Sequence, residues 1–408
     1  MLTPYEIIWL FAIPGVIFSW YHIARHAVGF IPHKHELPPG PHPKIIFSIA
    51  ARRLTPIVKT SVQAVHRSCA EVGFSTYEVK LVVDEIESSI EGAETIVVPK
   101  DFTSRSKFKA RALHYALRHL PNTKDIWILH LDEDALVTPQ CVSSIVNYIQ
   151  NGGNPIANGP TIYPYDGNVL TFYAEAQRQW TFYWLVDQLN TSIVHWLNGS
   201  NLLVRSDIEQ TVGWDFVNCF ISEDARFGYE ATKKLGKIFG WHGGLTIETP
   251  AASVKGLIKQ RMRWFFGSVL NLRYVPRGRL PRRIYSISTW IDGLILTLFF
   301  FVFISGVSEP WFSNQFTIHG VSLSAILWLG RYEIGIHQNL RYSPIHWTKK
   351  VLLHIGIIPL APFIDFFCSV PSVLAFIIRP RSFEITAKRK ELQKPDTKQP
   401  GQVTGGSG

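Results

Sequence analysis

Apolar residues are gathered into long runs near the two ends of this chain, whereas its middle carries short apolar runs separated by polar turns. Four runs are candidates for membrane segments, and they cover residues 7–20, 284–307, 321–336 and 351–378. As a helix, the second would be roughly 36 Å long and would cross the ~30 Å hydrocarbon layer of a bilayer. The pattern therefore predicts a soluble middle domain between two membrane-associated regions.

The middle region alternates between strand and helix patterns. Strands are predicted at residues 44–50, 77–83, 95–98 and 126–131, and the last is a continuous apolar run typical of a strand buried on both faces. Helices are predicted from Pro56 to before Gly73, at residues 106–120, from Pro139 to near Gly152, and from a capping box at residues 206–209 to Gly213. This alternation predicts an α/β fold with a mostly parallel sheet, whose ligands bind outside the carboxyl ends of the strands. No G-x-G-x-x-G follows the first strand, which argues against a dinucleotide dehydrogenase.

Two carboxylates, Asp132 and Asp134, follow the fourth predicted strand. Alternate residues of an extended chain face the same side, so both can point into one crevice. Mg²⁺ and Mn²⁺ take carboxylate oxygens together with phosphate and water, and they neutralise charge that develops on a diphosphate leaving group. Such a pair alone is more often a solvated loop, but the motifs further along the chain favour a metal site.

Basic side chains crowd the start of the helix predicted at residues 106–120, namely Arg105, Lys107, Lys109 and Arg111. Cations in a first helical turn oppose the helix dipole by roughly 0.3–1 kcal/mol each when exposed. A bound anion would compensate for this, since a helix N-terminus already attracts anions. An exposed basic turn without a ligand fits equally well. Lys109 is the preferred contact to the phosphate or sugar of a donor.

A second acidic pair, Glu223 and Asp224, follows Ser222. A carboxylate here could deprotonate an acceptor hydroxyl as it attacks the anomeric carbon of a sugar, and a positioned base contributes ~10²–10⁴-fold to such a rate. We predict that Asp224 is the base and that Glu223 orients it or binds the acceptor. Taken alone, the pair also fits an ordinary acidic first turn capped by Ser222.

Residues 253–272 have the pattern of an amphipathic helix, typical of a helix that lies on a bilayer surface. Gln260, Arg261 and Trp264 fall on the flank between its two faces. An arginine fork suits a diphosphate, and an indole face can stack on a sugar ring. We therefore assign Gln260, Arg261 and Arg263 to donor binding and Trp264 to acceptor binding. The apolar face comprises Val254, Ile258, Met262, Phe265, Val269 and Leu272, and the basic face comprises Lys255, Lys259 and Arg263.

The net charge of +10 is concentrated beside the apolar segments, at residues 277–283 and 379–390. Basic clusters next to membrane segments more often mark the cytoplasmic side and its anionic lipids than a nucleic-acid site. The first apolar segment is followed by basic residues and lacks a cleavage signal, which predicts a retained anchor and a cytoplasmic middle domain. The four cysteines have no close spacing, so neither a zinc site nor a disulfide framework is indicated.

Three prolines, Pro359, Pro362 and Pro371, are expected to divide the last apolar segment into an interfacial or re-entrant piece and a span. This arrangement would keep the basic tail inside. The aromatic residues within 172–196 are expected to be mainly packing, with one or two lining an acceptor groove. Asp292 and Asp365 lie within apolar segments. Contact with a lipid-linked acceptor and a paired structural role both remain open for them.

Taken in order, these motifs resemble those of the membrane-bound, cellulose-synthase-like family 2 glycosyltransferases, whose catalytic domain has the GT-A fold. Within that family, the stretches at residues 96–100, 109–113 and 129–138 are similar to the egghead-type β-1,4-mannosyltransferases. The matching positions are Asp84, Asp132-x-Asp134, Glu223-Asp224, Gln260-Arg261-x-Arg263-Trp264 and the segment at residues 383–388.

The resemblance implies an inverting, Mn²⁺- or Mg²⁺-dependent transfer of mannose from GDP-mannose, in β-linkage, to a lipid-linked saccharide or glycolipid. It implies that Asp84 contacts the nucleotide base or ribose, Asp134 the metal and Trp264 the acceptor, with Asp224 as base. The chain departs from the egghead type at Asp134, where that type tends to carry glutamate. A basic pair after the first strand is a second departure.

The predicted organisation is a transmembrane anchor at residues 1–32, a cytosolic GT-A domain at 33–252, an interface helix at 253–283, a transmembrane region at 284–380 and a cytosolic tail at 381–408. Two alternatives are a UDP-sugar-dependent polysaccharide synthase of the cellulose or hyaluronan type and a catalytically inactive membrane scaffold. The first would need more helices to enclose a polymer channel, and the intact acidic motifs argue against the second.

Overall fold

The computed structural model describes residues 36–85, 89–190, 197–219, 221–281 and 315–379, with a few single positions between 283 and 294. The predicted anchor at residues 1–32, Asp292, and the tail at 381–408 lie outside these residues, and so does nearly all of the apolar segment at 284–307.

Seven strands form the main sheet and three form a small second sheet. The main sheet contains β1 (Lys44–Arg53), β2 (Tyr77–Glu85), β3 (Glu94–Val97), β4 (Ile126–Asp132), β6 (Ile156–Asn158), β8 (Leu202–Arg205) and β9 (Phe239–Trp241), and the small sheet contains β5 (Leu136–Val137), β7 (Thr161–Ile162) and β10 (Thr246–Ile247). The main order is β3-β2-β1-β4-β8-β6-β9. The first four are parallel, β8 is antiparallel to both neighbours, and β6 and β9 are parallel. The predicted α/β fold with a mostly parallel sheet is thus confirmed.

Nine α-helices with bounds among the described residues cover the sheet or extend from it. They are α1 (Pro56–Val72), α2 (Phe108–Ala116), α3 (Pro139–Gln150), α4 (Val169–Asn190), α5 (Ser206–Val212), α6 (Glu223–Leu235), α7 (Val254–Leu270), α8 (Gln315–Arg341) and α9 (Trp347–Ile378). Local chemistry sets several ends. The Thr55 side chain accepts a hydrogen bond from the backbone N–H of Val58 at the start of α1, and Gly73 ends that helix in the left-handed region at φ 74°.

Two local predictions were wrong in detail. The helix predicted at residues 106–120 begins only at Phe108. The capping box predicted at the start of α5 does not form, because Ser206 donates to the carbonyl oxygen of Pro121 instead. Its partner Glu209 accepts a hydrogen bond from the indole N–H of Trp214 at 2.6 Å. Tertiary contacts therefore take both side chains away from the helix terminus.

Apolar side chains alternate between two cores, one on each face of the main sheet. Trp127, Leu129 and Leu131 of β4 pack in the core beneath α1 and α3, while Ile128 packs in the core beneath α2 and α6. Burying one such side chain contributes about 1.5–3 kcal/mol, so β4 is held firmly from both sides. This rigidity fixes the position of Asp132 at the carboxyl end of β4.

A separate layer of helices, α4, α8 and α9, packs beside the sheet domain, with Tyr173, Tyr332, Ile336 and Ile357 buried at its centre. The membrane segment predicted at residues 321–336 falls in α8, whose described side chains pack in this layer. Of the part of the chain that the structure describes, α9 alone is long and apolar enough to cross a membrane.

The helix α9 runs unbroken from Trp347 to Ile378 with all three prolines inside it. Its 32 residues correspond to roughly 48 Å. The expected division into two pieces was therefore wrong. A proline in a long apolar helix removes one N–H donor, and the remaining hydrogen bonds and the packing of neighbouring helices maintain the helix.

Candidate active site

The candidate site lies at the carboxyl end of β4, where three distant parts of the chain meet. The Lys109 Nζ donates to Oδ1 of Asp132 at 2.5 Å and to the carbonyl oxygen of Gly199 at 3.1 Å. The backbone N–H of Asp132 donates to Oγ of Ser200 at 3.3 Å. The start of α2 and the loop before β8 are thereby fixed to the end of β4.

The basic turn that was predicted to hold an anion is partly neutralised by carboxylates of the protein. The Arg105 Nε donates to Oδ2 of Asp215 at 2.8 Å, and the Arg111 Nη1 donates to Oδ1 of Asp84 at 3.0 Å. Burial raises the pKa of Asp84, and the Arg111 guanidinium opposes this rise. Of these basic side chains, Lys109 is the one that contacts Asp132.

Lys109 faces an excess of negative charge. Burial by itself lowers the pKa of this ammonium, but Asp132, Glu223 and Asp224 raise it above its ordinary value. Three carboxylates thus act on one half-buried cation. A cluster of this composition attracts a further positive charge.

Asp224 lies in the first turn of α6, directly after a turn with unusual backbone geometry. Ser222 has a φ of 57°, and its side chain does not cap the helix. The Asp224 Oδ1 accepts a hydrogen bond from the backbone N–H of Ala225 at 2.7 Å. A Cβ added to Gly199 would lie 3.2 Å from Oδ2 of Asp224, so the carboxylate packs against the Gly199 backbone.

The environment of Asp224 suits a base that works near neutral pH. Burial and then the neighbouring charge of Glu223 raise the pKa of Asp224 to about 7. A general base is most effective when its pKa lies near the working pH. Asp224 packs against Gly199, and Lys109 contacts both Gly199 and Asp132, so the two aspartates lie at the same Lys109–Gly199 junction.

Of the two carboxylates expected to bind a divalent cation, Asp132 lies at this junction. The Asp132 side chain is 45% exposed at the strand end, whereas Asp134 is buried and its Oδ2 accepts from the backbone N–H of Thr249 at 3.1 Å. Within the described ranges, no group of three or more His, Cys, Asp or Glu residues could enclose a metal. Mg²⁺ sites commonly use one or two carboxylates and complete the shell with phosphate oxygens. Asp132 and Asp134 therefore fit a cation that arrives with a diphosphate.

The motif on α7 forms a stacked, charged cluster with α4. The Arg261 Nη2 donates to Oε1 of the buried Glu175 at 3.2 Å. Two guanidiniums lie against the Trp264 ring, with the Arg261 Cζ 4.8 Å and the Arg178 Cζ 4.5 Å from its ring centroid. The Gln260 Oε1 is buried and has no hydrogen-bond partner among the described residues. Whether Arg261 also contacts a diphosphate stays a prediction.

The apolar face of α7 is partly covered by protein. Met262 and Phe265 are buried in a cluster with Ala375 of α9, and the ring of Phe265 lies 5.3 Å from that of Phe376. Arg263 is half-buried on this helix. The expectation of a face lying on a bilayer needs correction to this extent, because an amphipathic pattern cannot distinguish a lipid surface from an apolar neighbouring helix.

The structure thus gathers Lys109, Asp132, Glu223 and Asp224 into one cluster, while Asp84 lies at the same sheet edge on β2, separated from β4 by β1. Sequence reasoning missed three groups of residues that shape the site. They are Asn198, Gly199 and Ser200 in the loop, Glu175 and Arg178 on α4, and Asn271 after α7. A run of small polar residues before β8, and charges within the aromatic-rich α4, were the signals available.

The comparison with family models matches residues 127–376, more than half of the chain, to the family described as glycosyl transferase family group 2. Among curated proteins, the chain is similar to the beta-1,4-mannosyltransferase egh of Drosophila melanogaster, with 28% identity over 279 residues that cover 64% of this chain and 60% of that protein. It is also similar to the beta-1,4-mannosyltransferase bre-3 of Caenorhabditis elegans, with 25% identity over 245 residues, 56% of this chain and 53% of that protein. The chain therefore spans between half and two thirds of the length of these relatives.

A solved structure resembles this fold over most of the chain. The mannosyltransferase PcManGT from Pyrobaculum calidifontis, in complex with GDP-Man and Mn²⁺, matches with a TM-score of 0.52 and 12% identity, over 90% of this chain and 98% of that chain. At this identity the likeness shows the fold alone. It confirms the GT-A fold.

Proposed function

Because this chain belongs to glycosyl transferase family group 2, we propose that it is an inverting, metal-dependent β-mannosyltransferase that works at a membrane. The donor would be GDP-mannose, and the acceptor a lipid-linked saccharide or glycolipid. The observation that carries this proposal is the convergence of Asp132, Lys109 and Asp224 on the Gly199 backbone. This arrangement supports the proposal because it brings a cation that can bind a leaving diphosphate close to a carboxylate that can accept a proton.

The proton chemistry follows from Asp224. Its carboxylate takes the proton of the acceptor hydroxyl while that oxygen forms a bond to the anomeric carbon of mannose. The bond from this carbon to the diphosphate breaks on the opposite face, so the configuration inverts. The Lys109 ammonium, held by Asp132 and Gly199, lies where it can offset negative charge on the leaving diphosphate.

Asp132 and Asp134 would hold a divalent cation together with the diphosphate oxygens. Bound there, Mn²⁺ or Mg²⁺ would supply Lewis-acid stabilisation of the leaving group. The support from this chain is the hard oxygen chemistry of both side chains and the negative charge around Lys109. Mn²⁺ in the related PcManGT structure is consistent with the same ion class.

The acceptor side is assigned to Trp264 and Glu223, and the remaining donor contacts to Asp84, Gln260, Arg261 and Arg263. The Trp264 indole contacts two guanidiniums, and an aromatic face is suited to a sugar ring. The buried Gln260 Oε1 offers an acceptor for a ligand hydroxyl. Each of these contacts can be tested by substitution.

Membrane association is supported by α9, which exposes an apolar surface along its length. A long helix that exposes many apolar side chains is suited to contact with lipid. We infer a cytoplasmic catalytic face from the basic residues that flank the apolar segments. The exposed residues are Val351, Leu352, Ile355, Ile358, Phe363, Phe366, Phe367, Val373, Phe376, Ile377 and Ile378.

The test is thermal stabilisation of the purified full chain in nanodiscs by a panel of nucleotide sugars, followed by transfer of labelled sugar to a glycolipid acceptor. We expect GDP-mannose with Mn²⁺ to raise the melting temperature and UDP-sugars to leave it unchanged. Asp132→Asn should abolish the Mn²⁺-dependent part of the shift. Asp101→Asn, at an exposed position after β3, is the matched control and should keep it.

Stabilisation by a UDP-sugar but not by GDP-mannose would overturn the donor assignment, and a polymeric product would favour a polysaccharide synthase. If the protein neither hydrolysed nor transferred any sugar in the panel, the result would favour the inactive scaffold.

A further inference from the structure

The turn before Asp224 has a backbone conformation that its own sequence does not favour. Ser222 has a φ of 57°, in the left-handed region, where residues with a side chain are uncommon. Such conformations persist only where the surrounding structure holds them. Glu223 and Asp224 follow at once in α6. The position of the proposed base therefore depends on whatever holds this turn.

Asn271 forms direct hydrogen bonds to the turn. It lies in the short 3₁₀ turn Asn271–Tyr274 at the end of α7, and its side chain is 4% exposed. Its Nδ2 donates to the carbonyl oxygen of Ser222 at 3.1 Å and to that of Ile221 at 3.3 Å. One buried amide thus bridges the two residues that precede the acidic pair.

Gly267 allows α7 to approach the same turn without a gap. A Cβ added to Gly267 would lie 2.4 Å from Oγ of Ser222 and 2.6 Å from Cγ2 of Ile221. No side chain larger than hydrogen fits there unless the turn or the helix moves. Gly267 and Asn271 are four residues apart on α7 and its continuation, so they lie on the same side of the helix.

The first turns of α6 are held by the same region of the chain. Ala225 and Tyr229 of α6 pack in one cluster with Val275, and the Arg226 guanidinium lies over the ring of Tyr274. The opposite side of α7 packs on α9 through Phe265. The helix that carries the Gln260–Trp264 motif thus stands between the apolar helix and the turn of Asp224.

We propose that Asn271 and Gly267 are positioning residues, which use α7 to set the place of the Asp224 carboxylate against Gly199 and Lys109. This inference rests on the proposed function in taking Asp224 as the base. It assigns α7 a second role besides ligand binding. We call the contacts of Asn271 and Gly267 with the turn at Ser222 the clamp. Loss of the clamp should move the Asp224 carboxylate away from the acceptor and slow transfer, while the donor site at Asp132 stays intact.

The test compares Asn271→Ala, the isosteric Asn271→Asp and Gly267→Ala in nanodiscs. The turnover number should fall by up to about 100-fold, since a misplacement near 1 Å can cost that much. The dissociation constant for GDP-mannose with Mn²⁺ should stay within about twofold. Asn271→Asp keeps the volume but loses the N–H donor, so it should lose at least as much activity as Asn271→Ala.

Two matched controls should behave like the unsubstituted protein. Gly278→Ala adds a Cβ where nothing lies within 4 Å. Asn151→Ala removes an exposed amide that bonds only within its own helix end, to Asn147. If either control lost as much activity as the clamp variants, the loss would not report on the turn, and the proposal would fail.

Hydrogen exchange gives a readout that needs no activity. In Asn271→Ala, peptides covering residues 221–226 should exchange faster, whereas peptides covering residues 126–134 should not change. Unchanged exchange at 221–226 overturns the clamp, even where the protein transfers no sugar at all. Absence of transfer in the unsubstituted protein, with faster exchange in the variant, contradicts the proposed function and leaves the clamp standing.

Discussion

Carboxylates lie buried or half-buried in two regions of this protein, and the regions differ in how the negative charge is matched. In the helix layer, Asp365 of α9 is 1% exposed and accepts hydrogen bonds from the side chains of Gln177, Trp328 and Tyr332. Gln177 lies on α4, and Trp328 and Tyr332 lie on α8. This arrangement favours the paired structural role for Asp365, because both of its oxygens accept hydrogen bonds from neighbouring helices.

The active site shows the opposite balance. Asp132, Glu223 and Asp224 all act on the single ammonium of Lys109. The negative charge of Glu223 also raises the pKa of Asp224. Such repulsion is costly for folding but useful for binding a metal and accepting a proton. The comparison teaches that a buried aspartate is functional or structural according to its partners, not according to its burial.

The largest effect that separates the two regions is expected from Asp224→Asn. The amide cannot accept the acceptor proton, so transfer should fall about 10²–10⁴-fold while GDP-mannose still stabilises the protein. Sugar transfer and melting temperature, measured on the same preparation, check this. Transfer at the normal rate would show that Asp224 is not the base.

Asp224→Asn also makes a prediction about stability and pH. The folded pKa of Asp224 is raised to about 7 by burial and by Glu223, from an ordinary value of ~3.9. The folded protein therefore binds more protons than the unfolded chain between these values, and this group costs stability as the pH rises through that window. The melting temperature of Asp224→Asn relative to the unsubstituted protein should be higher at pH 8 than at pH 4, and the reverse trend would contradict the raised pKa.

The next largest effect is expected from Asp365→Asn, with the opposite pattern. The amide NH₂ group would replace one of the two acceptor oxygens, so at least one of the three donors would lose its acceptor. This should lower the free energy of unfolding by roughly 2–3 kcal/mol. Turnover per folded molecule should change by less than about twofold. Thermal unfolding with a folded-fraction correction to the activity measures both. A selective loss of transfer without loss of stability would instead support contact with a lipid-linked acceptor.

The smallest effect is expected from Glu223→Gln, read in the pH profile. Transfer should rise with pH as Asp224 loses its proton, and the negative charge of Glu223 raises the pKa of Asp224. Removing that charge should move the acidic limb to lower pH, by about one unit or less. The profile of transfer at saturating donor, from pH 5 to 9, measures the shift. A limb that moves to higher pH would contradict the assigned coupling.

Much of the fold could be predicted because the signals are local. Thr55 and Gly73 bound α1, and continuous apolar residues identify β4 as a strand buried on both faces. Asp132 could be placed at a strand end for the same reason. The patterns were less informative where two environments favour the same sequence, as on the face of α7 that carries Phe265 and in the proline-containing α9.

By itself, the sequence determined the alternation of strands and helices, the acidic pairs at element ends and the family motifs, since each depends on neighbours a few residues apart. Only the tertiary structure decided that Lys109 joins Asp132 to Gly199, that Arg261 pairs with Glu175, and that α7 holds the turn before Asp224. These partners come from different strands, helices and loops. The pattern of hydrophobic and polar residues does not predict which of them come into contact. Their geometry depends on how whole elements pack, which is a property of the assembled cores.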